Sequence, residues 1–311
     1  KRIDPTVQGL AGESEWQHTR ADRSRRQMSD KATVVVDAST RPEFPGPMGF
    51  LSSAWDNRQL IRRLTRRQIE SRYKGSLLGV LWAFIVPLMM LAVFTFVFSV
   101  VFKIRWGVDV EGRGQFALVL FAGLIVFNLF SHCVTQAPTL MLLHTNLIKK
   151  VVFPLEILPW TVLAEGVFNA VISYVVFFAV YFPVLGCPPA TSLLLPIILI
   201  PLSIFLLGAI WILASLGVYV RDLSQGVAVV ATMFLFLSPV FYPLTAVPPE
   251  FRVIIYSSPL TSVIRDVRNV LFWSEIPHWG FWLASMIVAW IVAWLGFAWF
   301  IKTKRGFADV V

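Results

Sequence analysis

The chain has 311 residues, of which 57% are hydrophobic and only 14% are charged, and its mean hydropathy is +0.71. A soluble domain carries about 25% charged residues, so this composition excludes an ordinary soluble protein and indicates an integral membrane protein. The net charge of +9 comes from basic residues beside apolar runs. That pattern is typical of membrane topology signals and argues against a nucleic-acid partner.

The N-terminal residues 1–54 have the composition of a disordered cytosolic tail. They are largely polar and mixed in charge, and they contain no apolar stretch typical of a signal peptide. We assign no function to this tail.

Residues 55–74 predict an amphipathic helix on the cytosolic surface of the membrane. Leu60, Ile61 and Leu64 share its apolar side, although Ile69 interrupts the stripe. The opposite side is basic and suits anionic lipid headgroups. Its members are Arg58, Arg62, Arg63, Arg66, Arg67, Arg72 and Lys74. A solvated basic linker is the alternative interpretation.

Six apolar runs follow, and each is long enough to cross about 30 Å of hydrocarbon as a helix. They cover residues 76–102, 116–143, 157–183, 192–219, 226–247 and 279–301. The runs show no alternation of polar and apolar residues, which excludes a membrane barrel. Pro87, Pro201 and Pro239 predict kinks. The fold class is therefore an all-α membrane protein, with a six-span domain over 75–305 and a cytosolic C-terminus at 306–311.

The distribution of charge predicts the orientation. Lys149 and Lys150 follow the second span and further lysines follow the sixth, whereas the loop 186–191 is uncharged. Because basic loops remain in the cytosol, both termini are expected there and the loop 186–191 is expected outside.

Residues 248–278 separate the fifth and sixth spans. Apolar residues at helical spacing predict an outer helix over 260–271, with a second short one near 249–257. The pair either re-enters the membrane as a hairpin buried against protein or lies on its surface.

The sequence offers no catalytic or metal-binding motif. It has no nucleotide-binding P-loop, and its four histidines and two cysteines, Cys133 and Cys187, lack metal-ligand spacing. Glu165 is the main ionisable residue inside a span, and it is expected to reach a lipid headgroup or a partner subunit. One acid near a helix end is weak evidence for a proton relay, so energy for transport must come from elsewhere.

Four ordered segments resemble the membrane subunit, or permease, of the type-2 ABC exporters for O-antigen, capsule, teichoic acid and related lipid-linked polysaccharides. They are Arg72–Pro87, Asn146–Pro154, Tyr219–Leu223 and Ser238–Pro243. The similarity covers about residues 55–305 in the order found in that family.

The resemblance implies a homodimer of this chain with two separate ATPase subunits, which bind ATP and Mg, so that this chain binds no cofactor. It implies an undecaprenyl-linked glycan that is moved from cytosol to periplasm across the bacterial inner membrane. It also implies that the helix at 55–74 gates the cytosolic interface and that the helices at 249–273 gate the outer side. The interface residues are Arg62, Arg63, Arg66, Arg67, Tyr73 and Lys74.

Two cytosolic segments are expected to couple the chain to the ATPase. In the first, a basic turn followed by an apolar tip and a proline suits docking into a groove. The coupling residues are Asn146, Lys149, Lys150, Phe153, Pro154, Arg221 and Asp222. Topology anchoring by the lysines and a local salt bridge between Arg221 and Asp222 are the alternatives.

Aromatic residues of spans one and five are candidates for the channel lining. Aromatic rings stack on the apolar faces of sugars without fixing one sequence of sugars, and transport needs weak, repeated binding. The candidates are Trp82, Phe94, Phe98, Phe234, Phe241 and Tyr242. The alternative is that they face lipid or pack in the core.

Two other functions remain open at this stage. A membrane enzyme of glycan or lipid-linked sugar metabolism would need acidic residues or a basic diphosphate pocket at the surface, and an ion or solute channel is the third possibility. The exported sugar is not encoded in these motifs.

Overall fold

The computed structural model describes residues 46–310, except for 75–77, 98–112, 149–152, 245–246 and 257. Throughout these ranges the secondary structure is helical, with no strand. The helices of eight or more residues are α1 Gly49–Asp56, α2 Arg58–Tyr73, α3 Trp82–Phe94, α4 Arg113–Gln136, α5 Leu158–Leu185, α6 Leu195–Tyr219, α7 Leu223–Leu237, α8 Pro249–Tyr256, α9 Pro259–Arg268 and α10 Trp279–Thr303. The predicted all-α class is confirmed.

Four helical segments in the described residues are long and apolar enough to cross a membrane. They are Gly114–Leu143, Leu155–Leu185, Ala190–Tyr219 and Trp279–Gly306, and they contain α4, α5, α6 and α10. The first is the most enclosed, with 83% of its apolar window buried. Because α4 packs against α3, α5, α7 and α9, it is the central helix.

The helix α3 begins later than the first predicted span, and α7 ends earlier than the fifth. A 3₁₀ turn at Gly79–Leu81, where Gly79 has a φ of +50°, precedes α3, so this helix begins at Trp82 rather than at residue 76. At the end of α7, Ser238 is extended because a residue before proline avoids the helical conformation. Pro239 therefore ends a helix instead of kinking one, whereas Pro87 and Pro201 lie inside helices.

An ordered helix begins before the expected end of the N-terminal tail. The side chain of Phe50, on α1, is fully buried. Its ring packs edge-on against Trp211, Trp290 and Phe297, with centroid distances of 5.9, 5.0 and 6.4 Å. The residues around Gly49–Asp56 thus anchor the chain to α6 and α10 before the basic helix α2 begins.

The helices α6 and α10 make the most extensive contact in the described fold, and their backbones approach closely. A Cβ atom added to Gly208 would lie 2.6 Å from the carbonyl oxygen of Val292, and one added to Gly296 would collide with the carbonyl of Gly208. Apolar side chains gain little from association within lipid, so close backbone packing at small residues stabilises such pairs.

We predict that Gly208→Ala destabilises the protein, because the added methyl group forces the backbones of α6 and α10 apart. Overpacking of this kind costs about 1–3 kcal/mol. The matched control is Gly280→Ala on α10, where nothing lies within 4 Å of an added Cβ. The measurement is the thermal midpoint of the detergent-solubilised protein. Equal midpoints for the two variants would contradict the close contact.

Candidate functional site

A cavity of about 730 Å³ lies between α3, α4, α5 and α7, with the end of α2 at its edge. One part of its wall is polar and contains Arg72, Asn128, His132 and Asn169. Another part is apolar and aromatic. One space is therefore surrounded by α3 and α7, which correspond to predicted spans one and five, and by the central helix α4.

The polar end of the cavity is organised by Glu165, which is only 5% exposed on α5. The Nη1 atom of Arg72 donates a hydrogen bond of 2.8 Å to its Oε1 atom, and the Nε2 atom of His132 lies 3.7 Å from its Oε2 atom. A buried carboxylate is stable only when it is paired or hydrogen-bonded. Glu165 thus pairs within its own chain, in place of the headgroup or partner expected from the sequence.

Three of the aromatic candidates line the cavity. Trp82 and Phe94 lie at the two ends of α3, and Phe241 follows the break after α7. The ring centroids of Phe94 and Phe241 are 6.1 Å apart. Phe121 and Phe127 of α4 add two further rings that the sequence analysis did not select.

The other aromatic candidates lie elsewhere. Phe234 packs against Phe130 at 5.3 Å and is partly buried in the core. The hydroxyl of Tyr242 donates to the carbonyl of Phe236 at 2.9 Å, at the broken end of α7. Neither residue lines the cavity, and Phe98 is outside the described residues.

The basic helix α2 packs on protein as well as presenting charge. Thr65 is buried and Leu64 packs on the core, and the helix contacts α5. Four of the predicted interface residues are exposed, namely Arg62, Arg63, Arg66 and Arg67. Tyr73 ends the helix, and Lys74 follows it and is exposed. The apolar side of α2 is therefore covered by α5 and the core of the same chain.

The first predicted coupling segment is described on both sides of a gap at 149–152, which contains Lys149 and Lys150. Asn146 is exposed on the short helix Thr145–Ile148. Phe153 packs on the core and Pro154 is partly buried. His144 precedes the helix, and burial lowers the pKa of its imidazole, which favours the neutral form.

The second predicted coupling segment is a turn between α6 and α7. Arg221 and Asp222 are both exposed there, and these two described side chains form no ion pair with each other. The preceding Tyr219 donates a hydrogen bond of 3.1 Å to the carbonyl of Thr303 and packs on the ring of Phe307. The turn is therefore fixed by the end of α10 rather than by its own charges.

The same end of α10 also holds the first segment, through contacts that sequence analysis missed. The Nζ atom of Lys304 lies 3.1 Å from the Oε2 atom of Glu156, and the indole of Trp211 donates to the carbonyl of Glu156 at 3.1 Å. In the sequence, Glu156 and Lys304 are only an acid and a base that flank two different apolar runs, so nothing there indicates that they pair. Both predicted coupling segments consequently belong to one packed platform.

On the opposite side of the bundle, α9 is buried on its polar face too. Arg268 is 5% exposed and donates three hydrogen bonds to carbonyls of Val119, Pro239 and Val240, at 3.0, 2.6 and 2.7 Å. Gly123 leaves room for the guanidinium, because a Cβ there would lie 2.7 Å from the Nη2 atom. This burial favours the hairpin packed against protein over a helix on the membrane surface.

Comparison with known proteins gives a family match over most of this architecture. The family model described as ABC-2 type transporter matches residues 59–272, from α2 to the turn after α9. The O-antigen export system permease protein RfbA of Myxococcus xanthus is 26% identical over 256 residues, which cover 82% of this chain and 96% of that protein. A protein of the same name from Klebsiella pneumoniae is 29% identical, over 81% of this chain and 95% of its own length.

We predict that the pair of Arg72 and Glu165 contributes measurably to stability. Its coupling energy should be about 1–3 kcal/mol, between the values for exposed and fully buried pairs, because Arg72 is half-exposed and Glu165 is buried. The measurement is a double-mutant cycle with Arg72→Ala and Glu165→Ala. The control cycle uses the exposed pair of Arg66 and Glu70 on the same helix, which should give less than about 1 kcal/mol. Equal coupling in the two cycles would contradict this prediction.

Proposed function

Since this chain belongs to the ABC-2 type transporter family, we propose that it is the transmembrane subunit of an ATP-driven polysaccharide exporter. Its substrate would be an undecaprenyl-linked glycan that crosses from cytosol to periplasm. The O-antigen export role named for the two relatives supports this substrate class. The cavity between α3, α4, α5 and α7 is the observation that carries the proposal.

The chemistry of the cavity suits a polar polymer with apolar ring faces. Rings of Trp82, Phe94 and Phe241 would stack on the C–H faces of successive sugars, while Asn128 and Asn169 would exchange hydrogen bonds with hydroxyls. Each contact is weak and independent of sugar sequence, which allows the chain to slide. The proposed role is therefore guidance of a moving glycan and not tight binding of one sugar.

We propose six spans with both termini in the cytosol, because α3 and α7 would complete the four longer segments. The described apolar helix Trp82–Val97, which contains α3, spans about 24 Å, whereas the hydrocarbon core is about 30 Å thick. Irregular backbone is tolerated at membrane depth where it borders protein or a cavity, and both shorter helices border the cavity. This topology places Cys187 outside, where it is exposed, and the coupling segments inside.

The assembly proposed for this subunit contains two copies of the chain and two ATPase subunits. Both shorter helices expose apolar side chains, such as Met89 and Val93 on α3 and Val230 and Met233 on α7, which a second copy would cover. The ATPases would bind ATP and Mg and dock on the platform at the end of α10. The exposed Arg221 and Asp222 and the apolar tip at Phe153 would contact them.

We predict that Arg221→Glu and Phe153→Ala each weaken binding of the ATPase about tenfold, since loss of an interface anchor costs about 1–2 kcal/mol. ATP hydrolysis by the reconstituted complex should fall while insertion of the chain is unchanged. The matched control is Glu250→Lys, which reverses an exposed charge on α8, outside the platform at the end of α10. Normal ATPase binding by both variants would remove the coupling assignment.

We also predict that Trp82→Ala, Phe94→Ala and Phe241→Ala, combined, lower export of surface glycan several-fold, because the sliding chain loses its stacking surfaces. The measurement is glycan at the cell surface, normalised to the level of the chain and to co-purified ATPase. Phe182→Ala is the matched control, since this exposed residue of α5 does not line the cavity. Normal export by the triple variant would reject the cavity as the glycan path.

A further inference from the structure

A second space of about 780 Å³ lies apart from the glycan cavity, between α6, α8, α9 and α10. None of the residues described above as lining the glycan cavity borders this groove. Its floor is apolar and is made by Pro201, Leu202 and Phe205 of α6 and by Ala284 and Val288 of α10. Since both helices are long apolar segments, the floor is expected to face the hydrocarbon of the bilayer.

The depth of this groove matches one leaflet. Phe205 lies ten residues after the start of α6, and Val288 lies nine residues after the start of α10. At 1.5 Å per residue, the floor extends about 14–15 Å from those helix ends, which is half of a hydrocarbon core of about 30 Å. The groove therefore has room for acyl chains along its floor but does not cross the membrane.

The mouth of the groove is polar and lies at the ends of the same helices. Hydroxyl groups of Tyr256 and Ser262 border it, together with the guanidinium of Arg265. The hydroxyl and guanidinium donors at the mouth suit the phosphate ester of a phospholipid, and the apolar floor suits its acyl chains.

Arg265 retains donors that can face such a phosphate. Its Nε atom donates to the Oδ1 atom of Asp266 at 3.1 Å, and its guanidinium lies 5.7 Å from the ring centre of Phe281. The Nη2 atom is also 3.1 Å from the Asp266 oxygen, but it is buried and makes no hydrogen bond. Both of these nitrogens therefore face the carboxylate. The remaining nitrogen, Nη1, has no hydrogen-bond partner among the described residues, and the side chain is 24% exposed, so Nη1 can donate to a phosphate oxygen.

We propose that this groove binds a glycerophospholipid of the adjoining leaflet, with one acyl chain on the floor and the phosphate at Arg265. In the topology proposed above this is the outer leaflet. Asp266 neutralises much of the charge of Arg265, so hydrogen bonds and acyl packing, more than net charge, hold the lipid. Because α8 and α9 border the groove, the bound lipid fills the space beneath them and supports the outer hairpin.

The experiment counts phospholipids on the purified, mildly delipidated complex by native mass spectrometry. The wild type is expected to retain one phospholipid per chain, and Val288→Trp and Ala284→Trp, which fill the floor, are expected to lose it. Ile287→Trp is the matched control, because this neighbouring residue of α10 is exposed but does not border the groove. Retention of the lipid by both floor variants would overturn the proposal.

A second measurement tests the site without the tryptophan variants, in case these fail to fold. Palmitoyl-oleoyl phosphatidylglycerol is titrated into delipidated wild type and Arg265→Lys or Arg265→Gln, and the thermal midpoint is followed. A rise is expected in the wild type and in Arg265→Lys, with a smaller rise in Arg265→Gln. No rise in the wild type, or retention of only isoprenyl lipid or detergent in the mass spectra, would refute the site. Neither readout depends on glycan export or ATPase binding, so failure here is distinct from failure of the proposed function.

Discussion

A carboxylate inside a membrane helix must be neutralised, and the arrangement around the cavity depends on how Glu165 meets this requirement. Its partner, Arg72, is the penultimate residue of α2, so the ion pair connects this basic helix to α5 at the edge of the cavity. His132 of α4 lies beside the same carboxylate. Three helices therefore meet at one charge. A movement of α2 would either break the ion pair of Arg72 and Glu165 or move α5 together with α2.

The platform at the end of α10 gives the proposed coupling a physical basis. The pair of Glu156 and Lys304 and the hydrogen bond from Tyr219 to Thr303 join both coupling segments to the end of α10. The tight crossing of α10 with α6 at Gly208 leaves little room for these helices to slide. An ATPase pressing on either segment would thus move a rigid unit, and that motion would reach the cavity through α7, which follows the second segment directly.

Sequence patterns were sufficient for the helical class, for the ordered segments of the family and for the amphipathic character of α2. They were insufficient wherever two distant residues meet. Arg72 and Glu165 are 93 positions apart and Arg268 reaches the carbonyl of Val119 across 149, so no local periodicity could pair them.

The start of α3 was predicted too early and the end of α7 too late, because apolar composition continues past the backbone signals that begin and end a helix. For the channel lining, a helical spacing identifies which rings share a face but not which face meets the cavity. Phe94 and Phe234 have similar surroundings in the sequence, yet Phe94 lines the cavity and Phe234 packs on Phe130.

The central claim is that the glycan moves through the cavity between α3, α4, α5 and α7, and photo-crosslinking tests this most directly. A photoreactive phenylalanine analogue at Phe94 is irradiated in cells that are exporting glycan, and the same analogue at Phe182 is the comparison. The account predicts a glycan adduct at Phe94 that depends on an active ATPase, and none at Phe182. Adducts at Phe182 alone, or at neither position while export continues, would contradict it.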